Sequence, residues 1–150
     1  MSRSVIISAC LLGEPCRYDG TSSQSSELME QLRNWVLIPV CPELEGGLST
    51  PRPPAEITGD QVLQEGGEDV TRQFVKGAAL CRDKGVAKHA TLAILKSRSP
   101  ACGCGQVYDG SFTGTLIKGD GIFTRTLRSA GIACVSDEDY RGAIDHPAEP

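Results

Sequence analysis

Three cysteines follow apolar segments of this chain at positions where loops begin. Cys10 comes one residue after the run SVIIS, Cys41 closes a second run, and Cys102 lies a few residues beyond a third. A cysteine kept only for packing usually lies inside a strand or on the buried face of a helix, because a free thiol behaves as a small hydrophobe. Thiolates in loops instead indicate metal binding or catalysis.

The other four of the seven cysteines divide into two groups. Cys81 falls on the apolar stripe of a predicted helix and Cys134 lies within a predicted strand, so both are predicted to be packing residues. Cys104 forms a Cys-X-Cys pair with Cys102, and Cys16 lies in the first loop. For these two, ligation and packing both stay open.

Sulfur-only ligation is typical of zinc, copper(I) and iron–sulfur clusters. The only histidines are His89, which precedes the third apolar run, and His146 near the C-terminus, so mixed His/Cys ligation is not expected. The paired Cys-X-X-Cys turns of a zinc knuckle are also absent. On chemistry alone, the dispersed thiols fit zinc and an iron–sulfur cluster about equally well.

Composition indicates an ordinary globular protein. The chain has 150 residues, 39% hydrophobic and 23% charged, which predicts one domain over residues 1–150 with a flexible tail from about 143 to 150. The net charge is −4 without clustered basic residues, so no nucleic acid polymer is expected as a partner. The N-terminal sequence predicts neither a secretory signal nor a membrane span. We therefore expect a cytoplasmic protein with reduced thiols and no membrane partner.

Apolar runs and helical patterns alternate along the chain. This order predicts an α/β fold, a small three-layer sandwich with a mainly parallel sheet of four or five strands, Rossmann-like in its connections. The predicted strands are 4–8, 36–41, 91–97 and 132–136. The predicted helices are 23–34, 70–85 with Asp69 as its N-cap, and 121–131, and a hairpin is predicted around EITGDQVL. In such sheets ligands bind beyond the carboxyl ends of the strands, so the cysteines that follow three strands are expected to meet there.

Five ordered motifs carry a family resemblance that spans nearly the whole chain. They are SACLLGEPCRYDG, CPELEGGLSTPRPPAEI, DVTRQFVKGA, LKSRSPACG with VYDGSFTG, and RSAGIACVSDE. Together they resemble a bacterial family whose best-understood members are the thiouracil desulfidases. The resemblance implies a [4Fe-4S] cluster held by three cysteines, which leaves one iron open to take sulfur from the substrate. The matching positions are Cys10, Cys41 and Cys102, with Cys16 as the alternative third ligand.

The resemblance also implies an acid/base group, which matches Glu43, two residues after Cys41. Glu45 is the alternative carboxylate. Ser99 is the candidate hydrogen-bond donor, and both it and Glu43 are predicted to be catalytic. Four further residues in the same motifs are candidates for substrate binding: Arg17, Tyr18, Gly46 and Gly47. Arg52 and Asp19 are not assigned to the site.

The implied reaction is hydrolytic and non-redox: a C=S bond of a thiolated pyrimidine such as thiouracil becomes C=O, and sulfide is released. The expected partner is a small thiolated nucleobase. One alternative is a non-catalytic protein that binds zinc, an iron–sulfur cluster or sulfide. Another is a thiol redox protein using Cys102 and Cys104, although Cys-X-Cys lacks the helix N-terminal Cys-X-X-Cys arrangement that lowers the pKa of a thiol.

Overall fold

The computed structural model describes residues 3–145. Its strands, in chain order, are β1 (Ser4–Ser8), β2 (Val36–Val40), β3 (Ala55–Thr58), β4 (Gln61–Gln64), β5 (Leu92–Leu95), β6 (Gln106–Tyr108), β7 (Leu116–Lys118) and β8 (Ala133–Ser136). Its α-helices are α1 (Ser26–Gln31), α2 (Pro42–Glu45), α3 (Thr71–Ala87), α4 (Ile122–Ser129) and α5 (Arg141–Asp145). A 3₁₀ turn, Ala9–Leu12, follows β1 directly.

Strands β2, β1, β5 and β8 form a parallel sheet in that order. Residues 5–7 of β1 are fully buried, as expected of a central strand covered on both faces. The chain passes from β1 to β2 on one side and later returns to β5 on the other side of β1. The strand order therefore reverses between β1 and β5, where ligands bind in open α/β sheets.

Helices cover both faces of this sheet. Helices α3 and α4 pack on one face through residues such as Phe74 and Phe123, which are almost fully buried. On the other face, Leu28 of α1 and Tyr140, just before α5, contribute to a second core. The predicted three-layer α/β sandwich with a parallel sheet is confirmed.

Two predicted helix boundaries need correction. Helix α1 covers only Ser26–Gln31, and Ser25 caps it by accepting a hydrogen bond from the Leu28 amide at 3.2 Å. Helix α3 begins at Thr71 rather than directly after Asp69, and it continues past Gly85 to Ala87. Gly85 does not end the helix, because its role is close packing: a Cβ there would overlap the side chain of Ile6.

Two antiparallel hairpins extend beyond the main sheet. The β3–β4 hairpin is the one predicted around EITGDQVL, whereas the sequence predicts no strands at the positions of β6 and β7. All three residues of β7 are exposed, so this strand has no apolar alternation that would reveal it. A bridge between Arg98 and Val107 joins β6 to the chain beyond β5.

The C-terminal part of the described chain forms α5. The predicted flexible tail covers residues 143–150. Residues 143–145 belong to α5, and residues 146–150 lie outside the described residues. No helix within residues 3–145 has both the length and the apolar character needed to cross a membrane.

Helix α2 packs against α3 with almost no space between their backbones. A Cβ at Gly77 of α3 would overlap the carbonyl oxygen of Pro42, and a Cβ at Gly46 would overlap the carbonyl oxygen of Gln73. Backbone atoms cannot rotate away as a side chain can. Glycine at these two positions therefore determines how close α2, which follows Cys41, lies to α3.

We expect Gly77→Ala to lower the free energy of unfolding by about 3 kcal/mol, because α2 must move to admit the methyl group. Urea denaturation measures this loss. Gly142→Ala is the matched control, since a Cβ at that helical position would lie within 4 Å of no atom apart from its chain neighbours and the backbone of its own helix. The control should be neutral or slightly stabilising. Equal effects in the two variants would contradict the close approach of α2 to α3.

Candidate active site

A cavity of about 450 Å³ opens at the carboxyl ends of β1, β2 and β5. Four thiols line it: Cys10, Cys16, Cys41 and Cys102. Cys10, Cys16 and Cys102 are each less than 8% exposed. The cysteines predicted to meet at this edge of the sheet thus line one pocket, next to the point where the strand order reverses.

Each of the three predicted ligands is positioned by a different local structure. Cys10 lies in the 3₁₀ turn that ends at Gly13, whose φ of 99° is in the left-handed region that favours glycine. Cys41 is the N-cap residue of α2, with Pro42 at the first helical position. Cys102 lies in a turn held by Ser99, whose Oγ accepts hydrogen bonds from the amides of Ala101 at 3.1 Å and Cys102 at 3.0 Å.

Cys16 lies among the same thiols. Its backbone carbonyl accepts a weak hydrogen bond from Cys41 Sγ at 3.8 Å. Hydrogen bonding to Cys10, together with burial, raises the pKa of Cys16 to about 11. A hydrogen bond with Cys16 also raises the pKa of Cys41, and burial raises that of Cys102. The thiols of Cys16, Cys41 and Cys102 are therefore protonated at neutral pH when no cation is bound. Which three cysteines hold the cluster, with Cys16 as the alternative third ligand, stays a prediction.

The remaining cysteines lie away from the pocket wall. Cys81 is buried in α3, where its Sγ donates to Glu45 Oε2 at 3.0 Å. Cys134 is buried in β8. The Sγ of Cys104 lies 4.0 Å from Thr124 Oγ1, on the side of α4. This placement agrees with a packing role for Cys81 and Cys134, and it separates Cys104 from the thiols of the pocket.

Glu43 lines the pocket and forms a buried ion pair. Its Oε1 lies 3.0 Å from Nε of Arg52, and the two side chains are only 17% and 4% exposed. Burial raises the pKa of Glu43 and is opposed by the positive charge of Arg52. Glu43 is therefore a largely buried carboxyl group on the pocket wall, an environment typical of acid/base residues.

Glu45 belongs to a different part of the structure, although it is only two residues away. It pairs with Lys84 of α3 and accepts the hydrogen bond of Cys81. Burial raises its pKa, but these hydrogen bonds and the lysine charge more than offset that effect, so the pKa of Glu45 is lowered. Glu45 does not line the pocket. This geometry favours Glu43 over Glu45 as the acid/base group.

Arg52 is the residue that sequence reasoning placed outside the site and that the structure places on its wall. Besides Glu43, its guanidinium donates to the carbonyl of Cys16 at 2.8 Å and to that of Ser49 at 3.0 Å. The segment PRPP gave no signal of this, because an arginine between prolines in an irregular region is usually exposed. Arg52 links the cysteine loop, α2 and the proline-rich segment.

The predicted substrate-binding residues fall into two sets. Arg17 and Tyr18 line the pocket, where Tyr18 is 40% exposed. Gly46 and Gly47 do not line it, and Gly46 is packed against α3 instead. Ser99 lies on the wall, and because its two accepted hydrogen bonds use its lone pairs, its hydroxyl proton is left to donate.

The fold and the pocket define a doubly wound α/β protein with buried thiols and a buried carboxyl group at its switch point. Comparison with known proteins identifies the family. The model of the 2-thiouracil desulfurase family matches residues 5–139. The chain is 38% identical to the uncharacterized protein YbbK of Bacillus subtilis (strain 168), over 93% of this chain and 99% of YbbK.

A solved structure is also similar, that of the [4Fe-4S]-dependent thiouracil desulfidase TudS. It has a TM-score of 0.87 and 41% sequence identity, and the match covers 96% of each chain. The chain belongs to the 2-thiouracil desulfurase family. The family resemblance inferred from the five motifs is thereby confirmed.

We expect Arg52→Met to lower the free energy of unfolding by about 3 to 5 kcal/mol, because Glu43 loses its partner while it stays buried. Urea denaturation measures the change. Arg33→Met is the matched control: Arg33 pairs with Glu30 at 3.1 Å, but both side chains are at least 70% exposed. That variant should show little change. Similar small decreases of the free energy of unfolding in both variants would contradict a buried ion pair between Arg52 and Glu43.

Proposed function

We propose that the chain hydrolyses the C=S bond of a thiolated pyrimidine such as thiouracil, at a [4Fe-4S] cluster held by Cys10, Cys41 and Cys102. The observation that carries the proposal is the pocket in which buried thiols and the buried carboxyl group of Glu43 lie together. The reaction is balanced without a redox partner. Water supplies the oxygen of the product, and sulfur leaves with the two protons of that water as hydrogen sulfide.

The donor set of the pocket fits an iron–sulfur cluster. His89 is exposed and precedes β5, at the edge of the sheet opposite to the pocket. Within residues 3–145, no three Cys, His, Asp or Glu side chains converge closely enough to hold a single metal ion. A cluster of four irons and four sulfides is wider than one ion, so its ligands surround a volume rather than a point. The spacing of these thiols therefore suits a cluster better than a single zinc ion.

When bound, a cluster with three protein ligands supplies an open iron that acts as a Lewis acid toward sulfur. The chain must deprotonate its ligands for this. Burial raises the pKa of Cys102, so cluster binding releases protons from the pocket. The low exposure of the thiols also restricts access of water and oxidants to the sulfur atoms.

Glu43 is assigned the proton transfers. Its carboxylate takes a proton from the attacking water as the C–O bond forms and passes it to the departing sulfur as the C–S bond breaks. The second proton reaches sulfur from the new hydroxyl group as that group becomes C=O, so the ring nitrogens keep their own protons. Arg52 determines where that carboxyl group lies, because its Nε donates to Oε1 and leaves the other oxygen, Oε2, for the reaction. Ser99 is assigned the donation of a hydrogen bond into the pocket, and Arg17 and Tyr18 contact the substrate at its more exposed side.

The first test concerns the cofactor. Protein produced and purified without oxygen should contain about four iron and four inorganic sulfide per chain. Cys10→Ser, Cys41→Ser and Cys102→Ser should each lose the cluster, as measured by metal and sulfide analysis and by the absorption spectrum. Cys81→Ser is the control, since a hydroxyl there can still donate to Glu45.

Stoichiometric zinc without sulfide would overturn the cofactor assignment and favour a zinc-binding protein. Loss of the cluster in Cys16→Ser together with its retention in Cys102→Ser would replace one ligand by the other. A complete cluster without any desulfurisation of thiouracil would favour a non-catalytic iron–sulfur protein.

The second test concerns Glu43. Glu43→Gln keeps an oxygen that accepts from Arg52 but removes proton transfer, which typically contributes ~10² to 10⁴ in rate. We expect an intact cluster and continued binding of thiouracil, with kcat lowered by at least roughly a hundredfold. Steady-state release of sulfide measures this.

Glu45→Gln is the comparison, because Glu45 pairs with Lys84 outside the pocket. Its kcat should stay within a few fold of the unmodified enzyme. If the large loss appeared in Glu45→Gln and not in Glu43→Gln, the acid/base role would move to Glu45.

A further inference from the structure

The two hairpins contribute a wall of the pocket that has no role in the proton chemistry. The wall consists of Glu56 from β3, Tyr108 from β6, and Phe112 from the β6–β7 connection. All three side chains are half-buried. Two of them are aromatic, in a chain with only six tyrosine and phenylalanine residues in total, three of each.

Glu56 holds the β6–β7 connection in place. Its Oε1 accepts hydrogen bonds from two backbone amides, that of Gly110 at 3.0 Å and that of Phe112 at 3.1 Å. Gly110 packs directly on β3, where a Cβ would lie 2.9 Å from the carbonyl oxygen of Ile57 and would overlap Thr58. The connection is therefore attached to β3 by two hydrogen bonds and by a contact that only glycine permits.

Phe112 has an uncommon backbone conformation. Its φ of 58° is in the left-handed region, which costs free energy for a bulky residue and recurs at functional sites. The amide of Phe112 donates one of the two hydrogen bonds that Glu56 accepts, so the carboxylate of Glu56 helps to maintain this conformation. The neighbouring side chains of β7 are exposed, whereas Phe112 is half-buried and lines the pocket. The backbone strain is thus associated with placing an aromatic ring on the pocket wall.

From this geometry we propose that Phe112, together with Tyr108 on the same wall, is the surface on which the planar ring of the substrate packs, and that it selects aromatic thiolated rings over non-planar ones. The inference rests on the proposed function and narrows its substrate class. Aromatic side chains bind nucleobases by stacking on their faces, which a puckered ring cannot match. Glu56 is a positioning residue, because it acts through the backbone of the connection.

The test compares two probes on the cluster-loaded enzyme: uracil, which is planar, and 5,6-dihydrouracil, which has the same hydrogen-bonding groups on a puckered ring. Neither contains sulfur, so equilibrium dialysis under anaerobic conditions measures binding without turnover. Stacking on a base typically corresponds to roughly fivefold to hundredfold in affinity. Phe112→Ala should weaken uracil binding by about that factor and dihydrouracil binding much less. Phe112→Tyr should restore the preference.

Two further variants separate binding from folding. Ile117→Ala changes an exposed residue of the same hairpin and should leave both affinities unchanged. Glu56→Ala should weaken uracil binding as Phe112→Ala does, whereas Glu56→Gln retains the accepting oxygen and should bind normally. Iron content and urea denaturation are measured for each variant. If Phe112→Ala does not fold, Phe112→Leu replaces it and should likewise weaken uracil binding more than dihydrouracil binding.

Unchanged uracil binding in a folded, cluster-loaded Phe112→Ala would overturn the proposal, and so would an equal loss of both probes. Either result, with an unmodified enzyme that still releases sulfide from 2-thiouracil, leaves the desulfidase function intact. An unmodified enzyme that neither binds uracil nor releases sulfide would instead overturn the proposed function itself.

Discussion

A buried guanidinium connects the loops that form the pocket. Arg52 donates to the carboxylate of Glu43 and to the carbonyls of Cys16 and Ser49, so one side chain joins segments that are distant in sequence. Loops at a sheet edge have few apolar contacts of their own. A guanidinium can hold several of them together, because its N–H groups donate in several fixed directions at once. Burying this charge is costly unless it is paired and hydrogen-bonded, and Glu43 provides the pairing. The side chain that orients the carboxyl group of Glu43 is thus also the one that joins the segments around the pocket.

The second constraint is the contact between α2 and α3, where glycines let the two backbones touch. The first turn of α2 carries Glu43 and Glu45 on different sides. Because α2 lies so close to α3, Glu45 reaches Lys84, while Glu43 faces the thiols. Two carboxylates separated by one residue therefore have different environments, and a small displacement of α2 would change both at once.

Much of the fold could be predicted because its signals are local. The run at residues 4–8 has the apolar character of a strand buried on both faces, and cysteines after three such runs must meet at one edge of a parallel sheet. The site was less accessible to sequence reasoning. The burial of Arg52 and the close approach at Gly77 depend on contacts between distant segments, and strand β7 is exposed throughout. Such features produce no periodic pattern in the sequence. Glu43 and the pocket thiols could be predicted only because their motifs resemble those of a known family.

Three carboxylates near the pocket show how partners, rather than residue type, determine a role. Glu56 uses one oxygen for two backbone amides, so it serves the β6–β7 connection. Glu45 forms an ion pair with Lys84 and accepts a hydrogen bond from Cys81, and it does not line the pocket. Glu43 has a single charged partner, Arg52, and its second oxygen makes no hydrogen bond within the described residues. Of the three, only Glu43 combines a position beside the thiols with an oxygen that is free to exchange a proton.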